Sequence, residues 1–146
     1  MNLENLIESL KRQEKNFSDL LETIKTKKEA LLENDIVKLD KAVDSEQKLL
    51  HLIQKEERER KRLTYVFATE NSIELKNASI EELLNKMPQL SGQLKSARDS
   101  IKSKAAEIIK INSQLTVLVG VSRNLIRDTV TTLLGKGKKS IVNKRV

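Results

Sequence analysis

The chain contains no cysteine. Disulfides, thiolate chemistry and Cys-based metal sites are thereby excluded, and the composition fits a reducing compartment. Its single histidine, His51, rules out two-His metal sites and reads as a helix-flank residue between Leu50 and Leu52. There is no Trp, one Tyr and two Phe, so a compact aromatic core cannot be built. What remains available is a long, thin seam between helices. One Pro and four Gly leave few places where helices must stop. The longest uncharged apolar-rich run, Ile111–Ser122, is shorter than the roughly 20 residues that cross a bilayer. The N-terminal MNLENLIESLKRQEK lacks the basic and apolar regions of a secretory signal. A soluble, cytoplasmic protein is expected. Catalytic chemistry is also missing. GKGKK, residues 135–139, lacks the spacing of a phosphate-cradling loop, and the acids are matched by bases at helical spacing. No enzyme, cofactor or metal is expected.

Charge is plentiful, at 34% of residues, and unevenly placed. Lys136, Lys138, Lys139, Lys144 and Arg145 give the last twelve residues +5 with no acid, so the +7 of the whole leaves +2 for residues 1–134. The basicity belongs to a flexible tail, expected over 135–146.

The apolar pattern specifies an all-α fold, an elongated antiparallel bundle or coiled coil of three long helices and one short one. Leu3, Leu10, Phe17, Ile24 and Leu31 form an unbroken heptad. Helix one is placed at about 3–33. Asn34-Asp35 interrupts the pattern, with Asp35 as N-cap of helix two, about 36–69. The run QKEERERKR, residues 54–62, is charged in eight of nine positions. It reads as a solvated face with the i,i+4 pairs Glu56–Arg60 and Glu57–Lys61. A linker over 70–79 ends in the capping box Ser79…Glu82. A short helix over 80–87 stops before Pro88, and helix three is expected to run unbroken from about 89 to 134. Residues 1–134 form one helical domain.

At 1.5 Å per residue, helices one and two reach roughly 45–50 Å and helix three about 70 Å. Helix three would overshoot the Asn34-Asp35 turn. The overshoot, Ile111–Leu134, carries only Arg123, Arg127 and Asp128 as charges. Its stripe is Ile111, Leu115, Leu118, Val119, Leu125, Ile126, Val130 and Leu133, with Val117, Val121 and Leu134 outside it. A helix docked on its own core needs an apolar arc of roughly 100°; this one spans about twice that. The surplus face is expected to receive a partner.

The order of features resembles the FlgN family of flagellar type III export chaperones. The resemblance is carried by KKEALLENDIVKLDKAVDSEQKLLHLIQKEERERKRL (27–63), SIEELLNKM (79–87) and INSQLTVLVGVSRNLIRDTVTTLLG (111–135). It implies a chaperone that binds the amphipathic terminal helices of hook–filament junction proteins, prevents their early assembly and delivers them for export. The implied cargo site is Leu115, Val117, Leu118, Val119, Val121, Ser122, Leu125, Ile126, Thr129 and Leu133. Components of the export gate or the export ATPase are further candidate partners, and a weak homo-oligomer is allowed. Nucleic acid is not expected as a partner: three glutamates interleave the bases of residues 54–62, and a binder of nucleic acid or an anionic surface through the basic tail is a third, separate reading. The competing reading is a self-assembling coiled-coil structural protein, which would bury the same face against further copies of itself.

Overall fold

The structure, a computed structural model, describes residues 2–115 and 120–135; from 120 to 125 it describes the backbone alone. Local chemistry explains the first turn. α1 spans Asn2–Glu33 and α2 spans Ile36–Glu70. Between them Asn34 takes a φ of 54°, a left-handed conformation that asparagine tolerates better than most residues. The Asp35 side chain then accepts from the Lys38 amide at 3.0 Å, satisfying an otherwise free donor of the first turn. Lys38 Nζ lies 3.2 Å from both Glu29 and Glu33, tying the end of α1 to the start of α2. The hydrogen bonds to Glu29 and then Glu33 raise the Lys38 pKa above its ordinary value.

After α2, Asn71 returns its amide to the last carbonyls of the helix, and residues 71–79 link it to α3, Glu70 of the expected 70–79 linker being the last residue of α2. α3, Ile80–Lys86, starts where Ser79 accepts from the Glu82 amide at 3.0 Å. The reciprocal half of the capping box differs. Ser79's own amide donates to Asn77 Oδ1 at 3.1 Å, so Glu82 instead accepts from the amides of Lys76 and Asn77. Met87 is extended ahead of Pro88, which opens a single 3-10 turn to Leu90. α4 follows over Ser91–Gln114. Arg98 of α4 donates to both carboxylate oxygens of Glu81, at 2.8 and 2.9 Å, and clamps α3 onto α4.

The unbroken third helix is not what forms. Leu115 leaves the helical region, with φ −110° and ψ 61°, and the chain resumes as α5 over Gly120–Leu134. α4 runs parallel to α1, with Lys104 facing Glu14 and Gln114 bonded to Lys28. α5 then turns back along α2. Asp128, Thr129 and Thr132 line a cleft with Gln54, Glu57, Arg58 and Lys61, and Gly135 ends beside Ser79. The physical reason is burial. A straight continuation would carry Ile126, Val130, Leu133 and Leu134 past any neighbour, whereas folding back buries all four. Gly120, the first residue of α5, is a weak helix former, which makes an interruption before it inexpensive. The result is an all-α bundle running up, down, up and down, and no strand occurs among the described residues.

The seam holds Leu6, Leu10, Phe17, Leu20 and Ile24 of α1 against Leu50, Ile53, Leu63 and Phe67 of α2 and Leu94, Ile101, Ala105 and Ile108 of α4. Leu3 and Leu31, the ends of the expected heptad, are only half-buried. The seam is polar at Gln13, whose amide donates to the Ile53 carbonyl at 3.0 Å, and at Lys27, which pairs with Glu46 at 2.8 Å.

Gly92 sits exposed in the first turn of α4, and an added Cβ would meet nothing within 4 Å. Gly92→Ala is expected to stabilise the fold by about 0.5–1 kcal/mol. A thermal melt should show a rise of about 1–3 °C, and a fall would mean that this glycine is needed for something other than helix formation.

Candidate partner-binding helix

Helical spacing places Ile126, Thr129, Val130, Leu133 and Leu134 along one side of α5, and all five are buried, between 0 and 5% exposed. They close the bundle against α2, α3 and α4. The free surface expected at Ile126, Thr129 and Leu133 is therefore occupied by the protein itself. Leu134, placed outside the stripe by the sequence pattern, is buried as well, because α5 nestles among three neighbours and not one. Asp128 is exposed, and Arg127, Thr131 and Thr132 are half-buried.

The C-terminus of α5 is built by Gly135. Its φ of 92° belongs to the left-handed region that favours glycine, and its amide donates to the Thr131 carbonyl at 2.8 Å. A Cβ there would lie 3.4 Å from Ser79 Oγ and 3.7 Å from Ser79 Cβ. The end of α5 thus rests on the residue that caps α3.

The remaining expected site residues divide as follows. Leu115 is half-buried at the end of α4, apart from the α5 face. Val117, Leu118 and Val119 lie outside the described residues. Val121, Ser122 and Leu125 fall on the described backbone of α5 without described side chains.

Sequence reasoning missed Arg60. Its place in the charged run suggests a solvated side chain paired with Glu56. Arg60 is instead fully buried, donating to Glu57 at 2.5 Å, to Thr64 Oγ1 at 3.2 Å and to the Ala78 carbonyl. Glu56 pairs across the hairpin with Arg12 at 2.9 Å, and Glu59 with Arg62 at 2.7 Å. The missed signal was spacing. Leu50, Ile53, Glu57, Arg60, Thr64 and Phe67 continue the 3-4 repeat of the seam through the charged run. A cleft of about 650 Å³ opens between α1 and α2 and is lined by Arg12, Lys15, Lys55, Arg58 and Arg62 around Leu52. There, hydrogen bonding to Glu56 raises the Arg12 pKa, and the Arg62 hydrogen bond lowers that of Glu59. Both shifts keep these surface groups charged. His51 is exposed on α2. No group of three or more His, Asp and Glu side chains able to hold a metal occurs among the described residues.

A family model described as FlgN protein matches residues 1–142. The chain belongs to the FlgN family. No curated protein and no solved structure matches it. Membership makes it a flagellar export chaperone in general terms, one that binds export cargo. The FlgN chaperones are not an enzyme family. No helix among the described residues is long and apolar enough to cross a membrane.

Proposed function

We propose that this chaperone acts in the cytoplasm on hook–filament junction proteins, holding their amphipathic terminal helices through α5 until export. The reading rests on one observation beyond family membership. α5 is a separate 15-residue amphipathic helix, set off from α4 by the break at Leu115, whose buried side fills a groove of its own bundle. A helix that serves as its own protein's temporary partner has the chemistry to serve another's. Cargo helices bear the same kind of apolar stripe, so α5 exchanges its seat on α2, α3 and α4 for a seat on cargo. Ile126, Thr129 and Leu133 then face the cargo helix, together with the expected residues Leu115, Val117, Leu118, Val119, Val121, Ser122 and Leu125. Capping the cargo's assembly surface prevents early association, and its release at the export apparatus restores α5 to the bundle.

The chain's lack of cysteine permits a direct test. In Ser79→Cys/Gly135→Cys the two Cβ atoms would stand about 3.7 Å apart, within the usual range for a disulfide. Oxidation then locks α5 down. Losing the Ser79 cap costs about 1 kcal/mol, and a non-glycine residue at the Gly135 φ costs about 1–2 kcal/mol. Both costs are present in either redox state. The oxidised variant is expected to bind a purified junction protein at least about tenfold more weakly than the reduced one. Equal affinity in the two states would remove α5 exchange from the mechanism. Absence of binding in both states and in the parent chain would remove junction proteins as cargo.

A further inference from the structure

Exposed aliphatic side chains gather at one place. Leu32, Ile36 and Val37 are 75, 71 and 65% exposed and lie within six residues, astride the Asn34-Asp35 turn. Beside them Ala30, Leu31, Ile36 and Leu39 border an open cleft of about 140 Å³. The hairpin has no internal need of these side chains, because Ala30 and Ala42 supply its buried contacts there. The tip also stands clear of α4, which ends at Gln114 beside Lys28, five residues short of the end of α1 at Glu33. An aliphatic cluster left open in so charged a chain marks an interaction surface.

Its charge defines the occupant. Between Glu29 and Asp40 there are four acids, Glu29, Glu33, Asp35 and Asp40, and one base, Lys38, for a local balance of −3 in a chain of +7. The complement is a segment that joins aliphatic residues to lysines. Segment 136–146, KGKKSIVNKRV, carries five bases, no acid, and Ile141, Val142 and Val146. Its aliphatic pair, Ile141 and Val142, cannot reach the tip of its own molecule. It leaves from Gly135, beside Ser79, and the preceding Ala78 is bonded to Arg60. Arg60 is 24 residues along α2 from Ile36 (60 − 36), about 36 Å at helical rise. Ile141 and Val142 follow Gly135 by only six and seven residues, at most about 24 Å of extended chain.

We propose that the hairpin tip of one copy receives segment 136–146 of a second copy. Ile141 and Val142 cover the Leu32, Ile36 and Val37 cluster, and the lysines face Asp40 and the Glu29–Lys38–Glu33 bridge, which keeps one net negative charge. Two copies lying antiparallel make this contact twice, which closes the assembly as a two-fold dimer and not a filament. The buried face of α5 takes no part, so this contact stands or falls separately from cargo binding.

Sedimentation equilibrium of the full chain over rising concentration tests it. Self-association is expected, weakening as salt is raised because its charge contacts are exposed. Ile36→Ser/Val37→Ser and, separately, Lys138→Glu/Lys139→Glu should each weaken it by at least about tenfold. The tip substitutions lie on exposed side chains, and circular dichroism should show unchanged helicity. Mixing the two variants should restore a heterodimer through the one intact tip and the one intact tail. A full chain that stays monomeric up to about millimolar concentration overturns the proposal. So does association that survives either double substitution, which would assign the contact to another surface.

Discussion

Arg60→Ala is expected to lower the unfolding free energy by about 3–5 kcal/mol, the range found when one partner of a buried ion pair is removed. Arg60 has no exposed surface and serves three acceptors: Glu57, Thr64 and the carbonyl of Ala78. Truncation leaves Glu57 charged and 7% exposed without its cation, orphans the Ala78 carbonyl, and opens a cavity among α2, the linker and α3. For a chain of this length the loss corresponds to a fall of about 10–15 °C in Tm. Arg60→Lys should fall between the parent and alanine, since a point charge cannot reproduce the planar fork. A melt of Arg60→Ala within about 2 °C of the parent would show that the fork contributes nothing net. The effect should also spread. Ala78, held at φ 53°, precedes the Ser79 on which the end of α5 rests. Amide exchange in α5 should therefore rise along with that of the 71–79 linker.

The second large effect concerns Lys27 and Glu46, a pair 2.8 Å apart with side chains 0 and 5% exposed. Lys27→Met alone should destabilise by about 3–5 kcal/mol, because Glu46 would remain buried without a counter-charge. Lys27→Met together with Glu46→Leu should be neutral or stabilising by about 1–4 kcal/mol. The sign follows from what the pair leaves unpaid in hydrogen bonds. Glu46 Oε2 has no hydrogen-bond partner among the described residues. A double variant as unstable as Lys27→Met would show that the pair is worth more than well-packed methylenes. In that event its geometry, and not only its charge, would be holding α1 to α2.

Much of the bundle is legible along the chain. The heptad through Leu10, Phe17 and Ile24, the turn at Asn34-Asp35, the Ser79 cap and the stop at Pro88 all form where the sequence places them. Each depends on groups within a few residues of one another. The candidate site was legible as a segment and not as a surface. Ile126, Thr129 and Leu133 do share a face, but that face is turned inward, and the aliphatic cluster left open lies on the hairpin tip instead. Among the described residues, α4 ends at Gln114, level with Lys28, and stops short of the end of α1 at Glu33.

Helix content, the hairpin, the caps and the placement of charge follow from the sequence by itself, because propensity, capping and periodicity act over a single turn or two. Tertiary structure decided the break at Leu115, the return of α5, the burial of Leu134 and the turning inward of Arg60. Each depends on which surface stands within reach to bury an apolar stripe or satisfy a guanidinium. For Ile111–Leu134 a straight helix and a folded-back one have the same periodicity. They differ in that only the folded-back form gives Ile126, Val130 and Leu133 neighbours that exclude water.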